Sequence, residues 1–194
     1  MKNLLDTLKP EQLNQVRLVE LDKEEILFNE GDFCESVGVV ITGEIEITSF
    51  SYAGGQLVFN RLSEGMVFGN NLLFSSDPHY KGSVIAKKPA KIGLIYKNSL
   101  IFLLKTNDEF MNLYLRLQSD TAKELNAKIK LLSLPGAEER FLYYLRSKGG
   151  KIEYHSVTRL ATILSIQRET LSRVLNRLVK EKQIVKTKHI IKEI

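Results

Sequence analysis

Between about residues 17 and 97 the apolar positions fall in short β-branched runs broken by turn residues: "EILFNEGDF", "VGVVITGEIEITSF", "YAGGQLVFNRLSEGMVFG" and "GSVIAKKPAKIGLIY". Gly54-Gly55, between "EIEITSF" and "QLVFNRL", is a hairpin signal, and Gly31, Gly43 and Gly65 punctuate the runs at comparable points. Several strands at this spacing predict an antiparallel barrel or jelly roll. "LLDTLKPEQLNQV" predicts one or two short helices beside it.

From about 98 to 133 the period changes to that of a helix. Phe110, Leu113, Tyr114, Leu117, Thr121, Leu125, Lys128 and Leu132 roughly follow spacings of three and four, and Leu115, Ile129 and Leu131 lie off that line. A long helix with apolar positions on more than one side needs more than one partner surface, here the barrel and a second copy of the chain. "SLPGAEER" breaks it: Pro135 disfavours helix at Leu134 and suits the first turn of the next helix, "GAEERFLYYLRSK", which runs out at Gly149-Gly150. The hinge is expected at about 133–136.

In "SVTRLATIL" Val157, Leu160, Ala161 and Leu164 share one helical face, and Ala161 is small enough for another helix to approach closely. Three residues later, "RETLSRVLNRLVK" places Leu171, Val174, Leu175 and Leu178 on one side and Arg168, Glu169, Ser172, Arg173 and Asn176 on the other. Two short amphipathic helices joined by so tight a turn form the helix-turn-helix pattern. Periodicity alone leaves open whether the polar side is solvated surface or a reading head.

Charge narrows the choice. The formal net charge of +5 is uneven: residues 146–194 carry 12 Lys+Arg against 4 Asp+Glu, and residues 1–145 carry 16 against 19. A basic tail on a mildly acidic body is what a phosphate-binding module needs, although a solvated basic face has the same composition. Cys34 is the only cysteine, which excludes an intrachain disulfide framework and a cluster held by several cysteines of one chain. His79, His155 and His189 are scattered without metal-ligand spacing. No run approaches the roughly 18 apolar residues of a membrane span, and "MKNLLDTLKP" lacks the apolar core of a secretory signal, so the expected location is the cytoplasm.

"LATILSIQRETLSRVLNRLVKEKQIV" resembles the DNA-binding motif of the cyclic-AMP receptor protein and fumarate-nitrate regulator family, with "RETLSRVL" close to its most recognisable form. "LFNEGD", "ITGEIEI", "FGNNLLF", "GSVIA" and "SLPGAEERFLYYL" match that family's β-roll and connecting helix in order, so the resemblance covers essentially the whole chain. It implies an α+β protein: an antiparallel β-roll like that of cyclic-nucleotide-binding domains at 1–106, a dimerisation helix at 107–133, and a winged helix-turn-helix at 134–194. It also implies a transcription regulator with duplex DNA, a second copy and RNA polymerase as partners and inverted half-sites similar to TGTGA; the hydropathy and the Cys and His content add the expectation of no membrane association and no cofactor. By the resemblance Arg168, Glu169 and Arg173 read bases, which suits their chemistry. Arginine can fork onto guanine O6 and N7, and glutamate can accept from cytosine N4. Gln167, Thr170, Ser172 and Asn176 are expected to support them, and Lys186 and Lys188, in the wing-like "IVKTKHIIKEI", to meet phosphate or simply to keep a strand edge soluble. Two positions depart from the family pattern: Ser165 replaces a turn glycine, and Gln167 replaces a Ser or Thr cap.

The resemblance also locates an effector pocket, lined by Gly69, Asn70, Asn71, Tyr80, Lys81 and Ser83 and closed by the long helix near Leu125 and Asn126. Gly69 is kept, but Asn70 stands where a ribose-binding glutamate is usual, and Tyr80 and Lys81 stand where an arginine and a serine are usual. A phenol cannot replace a guanidinium fork and Lys81 supplies only a point charge, so cyclic AMP is not the expected effector. Haem would need His79 as an axial ligand. A redox role for Cys34 is disfavoured because nothing nearby is basic enough to lower its pKa and Glu35 would raise it. The alternative is a cyclic-nucleotide-binding or cupin-like ligand-binding or enzymatic protein without DNA binding. The clustered His and carboxylate ligands of such enzymes are missing, as are phosphate-loop and G-x-S-x-G motifs, so no enzyme is expected.

Overall fold

A computed structural model of the chain describes residues 3–50 and 55–194, which fall into two compact units, residues 1–119 and 120–194. Two short 3₁₀ helices, Leu4–Thr7 and Pro10–Gln15, open the first unit. Six strands follow: β1 Arg17–Leu21, β2 Ile26–Phe28, β3 Ser36–Phe50, β4 Gln56–Ser63, β5 Val67–Phe68 and β6 Ser83–Tyr96. They form one antiparallel sheet of order β1-β6-β3-β4, with β2 added to β6 and β5 to β3. β3 and β6 pair from Ser36 with Tyr96 to Thr48 with Ser83, with register shifts around Thr42 and Glu44. Gly43 sits at that irregularity with φ +88°, where a Cβ would collide with the backbone of Pro89 and Ala90. The expected hairpin is present as the β3–β4 pair, which begins at Phe50 with Gln56; Gly54 of its turn lies outside the described residues.

The core between the sheet walls holds Val37, Val39, Val40, Ile45, Phe68, Ile92, Leu94 and Ile95, capped by Leu100 and Leu103 of α1 (Lys97–Thr106) and by Phe110 and Tyr114 of α2 (Asp108–Ser133). The break between these helices is fixed by Asn107, whose amide donates to Thr7 O and Gln12 Oε1, both at 2.8 Å, while its Oδ1 accepts from Phe110 N.

Apolar positions on more than one side of the long helix are expected from the sequence, but Leu125 and Leu132, which the spacing puts on the line of Phe110 and Tyr114, fall on a different face. Phe110 and Tyr114 are buried and Leu113 and Leu117 pack beside them on the roll. Leu115, Leu125, Ile129 and Leu132 are 54%, 56%, 61% and 43% exposed on another face, and Leu131 is buried in the second unit. A helix that serves two different surfaces cannot keep one stripe.

The second unit contains the end of α2, α3 (Ala137–Ser147), β7 (Lys151–Glu153), α4 (Val157–Leu164), α5 (Arg168–Lys180), β8 (Ile184–Lys186) and β9 (Ile190–Glu193). The strands form an antiparallel sheet of order β7-β9-β8. Its core is Leu131, Phe141, Leu145, Ile152, Leu160, Ala161, Leu164, Leu171, Val174, Leu175, Leu178, Ile184 and Ile191. β7 is an addition to the expected elements. No helix among the described residues is long and apolar enough to cross a membrane.

Candidate nucleic-acid interface and effector pocket

α4 starts at Ser156, whose Oγ accepts from Arg159 N at 3.1 Å, and ends at Ser165, which adopts the left-handed conformation with φ 53° and ψ 49°. That is the position where glycine is usual, and the turn forms with serine there. Gln167 begins α5 without a side-chain cap, as its residue type predicts. Only Ser165, Ile166 and Gln167 separate the two helices.

The apolar side of α5 is closed. Leu171, Leu175 and Leu178 are fully buried and Val174 nearly so, against a core that includes Leu160, Ala161 and Leu164. At roughly 1.5–3 kcal/mol for each buried aliphatic side chain, this packing fixes which way the helix faces. Gln167, Arg168, Glu169, Arg173 and Asn176 are exposed, and Thr170 and Ser172 are half-buried beside them. Arg168 Nη1 lies 3.7 Å from Glu169 Oε1 and Arg173 Nη2 donates to Thr170 Oγ1 at 3.4 Å. Such exposed contacts are worth little, so the forks and the carboxylate can take other partners. Lys186 is half-buried on the edge strand β8, and Lys188 is exposed in the β8–β9 turn.

The sequence did not reveal what braces α5. Arg177, on its polar side, forms an ion pair with Glu138 of α3. The two residues lie 39 apart in sequence, and only tertiary packing joins them.

In the first unit, Gly69, Asn70 and Tyr80 come together, and the others do not join them. Gly69 has φ +74°, and a Cβ there would lie 2.8 Å from Ser36 O, 3.3 Å from Cys34 Sγ and 3.4 Å from Tyr80 Oη. Tyr80 turns into the core, stacks on Phe28 and sets its buried hydroxyl beside the Cys34 thiol, where it finds no nitrogen or oxygen partner among the described residues. Burial, followed by the neighbouring thiol, pushes the phenol pKa far up. Lys81 is exposed and salt-bridged to Asp77, whose Oδ1 is also 2.6 Å from His79 Nδ1. These two partners, Lys81 first, hold the Asp77 carboxyl below its usual range. Ser83 Oγ accepts from Glu30 N at 3.0 Å, and Asn71 is exposed.

Asn70 is held by a residue the sequence reading missed. Gln118 of α2 accepts from the Asn70 amide through Oε1, donates to Asn70 O at 2.9 Å, and contacts Tyr114 Oη at 3.3 Å. The Tyr114 hydroxyl is pushed up to about 12 by burial. Leu125 and Asn126 lie in the other unit and are exposed. Cys34 is fully buried; its thiol donates to Ser36 O at 3.4 Å, and burial raises its pKa, so the cause is desolvation and not the Glu35 carboxylate. Among the described residues no group of three or more His, Cys, Asp and Glu could hold a metal ion.

Residues 18–107 match the family described as cyclic nucleotide-binding domain. No curated protein matches the chain. Among solved structures, the catabolite activator protein of Thermus thermophilus is 20% identical, with 98% of this chain and 93% of that one covered and a TM-score of 0.57. A mutant of CooA from Carboxydothermus hydrogenoformans is 17% identical, with 99% and 91% covered and a TM-score of 0.67. A transcriptional regulator from Thermotoga maritima is 23% identical over 63% of this chain and 95% of its own, at a TM-score of 0.59. At these identities the likeness is one of fold.

Proposed function

We propose that this chain, whose residues 18–107 match the cyclic nucleotide-binding domain family, is a sequence-specific DNA-binding transcription regulator of the cyclic-AMP receptor and fumarate-nitrate regulator type, acting as a homodimer. The observation that carries the reading is the division of α5 into a face closed by four apolar side chains and an exposed face bearing Arg168, Glu169 and Arg173. Residues 134–194 work as a winged helix-turn-helix in which α5 enters the major groove. Arg168 and Arg173 fork onto guanines, and Glu169 accepts from a cytosine amine. Gln167, Thr170, Ser172 and Asn176 flank them, and Lys186 and Lys188 meet phosphate.

Two copies pair along α2. Leu115, Ala122, Leu125, Ile129 and Leu132 are exposed at spacings of seven, three, four and three, the pattern of a two-helix seam. Residues 107–133 are thus the dimerisation helix between a sensing domain at 1–106 and a DNA-binding domain at 134–194. The two recognition helices then address inverted half-sites, similar to TGTGA, in successive major grooves about 34 Å apart. RNA polymerase is the partner through which a bound dimer would act.

Cyclic AMP is not the effector of the roll. In support, Asn70 is engaged by Gln118 and Tyr80 is buried against Phe28. Selection from a random duplex pool tests the main reading: the full-length chain should enrich an inverted repeat, and a pool that converges on no sequence would contradict it.

A further inference from the structure

α3 begins with "AEER", and two of its charged side chains, Glu138 and Arg140, tie it to neighbouring elements. Glu138 holds Arg177 of α5. The Arg140 guanidinium uses all three of its nitrogens on carbonyls: Nε donates to Leu134 O at 2.9 Å, Nη2 to Leu132 O at 3.1 Å, and Nη1 to Ser165 O at 3.1 Å. Leu132 O belongs to the last turn of α2, where a helix leaves its carbonyls without intrahelical donors, and Pro135 has no N–H to offer. Ser165 O belongs to the turn before α5. One planar fork therefore joins the end of the long helix to the start of the proposed reading helix.

A second cation reaches the same turn from α2. Lys128 Nζ donates to Ile163 O at 2.8 Å, at the C-terminal end of α4, and lies 3.5 Å from Ser165 Oγ. A cation there meets the negative end of the α4 dipole. Ser165, strained into the left-handed region, is thus gripped through its carbonyl by Arg140 and approached at its hydroxyl by Lys128.

We infer that Arg140 and Lys128 are positioning residues that fix the Ser165–Gln167 turn to the last turns of α2, and so set the angle at which α5 presents Arg168, Glu169 and Arg173. The inference rests on the DNA-reading proposal and names how that site is controlled. Three turn residues leave little slack, so movement at Ser165 becomes tilt of α5. Arg173 lies five residues into the helix, about 7.5 Å along its axis, and a tilt of about 10° moves its backbone by about 1 Å. Bidentate base contacts tolerate displacements of only about 0.5 Å. Phosphate contacts, being less directional, should survive the same tilt. A rotation of the C-terminal part of α2, however produced, would reach the reading face through these two side chains.

The test compares full-length wild type with Arg140→Gln, Arg140→Lys and Lys128→Met. Binding is measured at one fixed salt concentration to the duplex that wild type selects from a random pool and to a random duplex of equal length. Arg140→Gln should lower the specific-to-random affinity ratio by about tenfold, the equivalent of about 1.4 kcal/mol. Lys128→Met should lower it by about threefold, and random-duplex affinity should change by less than about twofold in either variant. Arg140→Lys keeps the charge but not the fork and should fall between wild type and Arg140→Gln. Amide exchange at residues 161–168 should quicken in parallel, a local change that general unfolding would not produce.

Lys128 is exposed, so its substitution decides the matter even if Arg140→Gln fails to fold. A wild-type ratio in both Lys128→Met and Arg140→Lys overturns the inference while leaving the DNA reading intact. A wild-type protein that selects no sequence removes the reading itself and the inference with it.

Discussion

Tyr80 stacks on Phe28 with ring centroids 4.7 Å apart and planes 12° from parallel, which carries a phenol into the core at a position where the family resemblance leads one to expect a ligand-facing arginine. Its hydroxyl is buried beside the Cys34 thiol, a weak acceptor, with no nitrogen or oxygen partner among the described residues. An unsatisfied buried hydroxyl costs about 1–3 kcal/mol, so Tyr80→Phe should stabilise the protein. The expected result is a thermal midpoint raised by roughly 2–4 °C for each kcal/mol relieved. A midpoint lowered by more than about 2 °C would show that the hydroxyl has a partner.

The same geometry bears on the effector. With Asn70 held by Gln118 and Tyr80 buried against Phe28, cyclic AMP at about 1 mM should leave both thermal midpoint and DNA affinity unchanged, because a ligand stabilises only what it binds. A rise of several degrees in the midpoint would contradict this.

Cys34 offers a pH test. Its thiol is fully buried with a raised pKa, so the folded chain holds the proton more tightly than the unfolded chain does. The associated stability is present below the unfolded thiol pKa and is lost as pH rises through that value towards the folded one. Iodoacetamide should therefore label Cys34 slowly at pH 8 in the folded protein and rapidly in denaturant. Labelling at equal rates would mean that the site opens freely.

The exposed line on α2 predicts assembly. Wild type should sediment as a dimer at micromolar concentration, and Leu125→Asp or Ile129→Asp as a monomer that keeps its thermal transition, since both side chains are exposed in the single chain. Wild type sedimenting as a monomer, with and without DNA, would remove the seam.

What was legible in the sequence followed from local pattern. β3 and β6 were visible because their β-branched runs are long, and α5 because four apolar positions recur at helical spacing. β7 was not, since "KIE" is too short to show a period and becomes a strand by pairing with β9. That α2 is apolar on more than one side was legible, but the spacing puts Leu125 and Leu132 on the face of Phe110 and Tyr114, because periodicity does not say which surface each residue meets. Gln118, Glu138 and Arg140 were silent for a related reason: their partners lie far away in sequence, and nothing in residue type identifies them. Tyr80 was placed by resemblance alone, and its burial depends on Phe28, which the resemblance did not point to.

The polar face of α5 is proposed to read bases. Its most direct test is the specific and random-duplex affinity of wild type, Arg173→Ala and Glu169→Ala at one fixed salt concentration. Loss of a bidentate guanine contact in Arg173→Ala should cost about 1–3 kcal/mol on the selected site and far less on random sequence. Glu169→Ala should strengthen random binding by removing an anion beside phosphate, while relaxing the preference for a C·G pair at one position in each half-site. An unchanged specific-to-random ratio in both variants would mean that Arg168, Glu169 and Arg173 are only solvated surface.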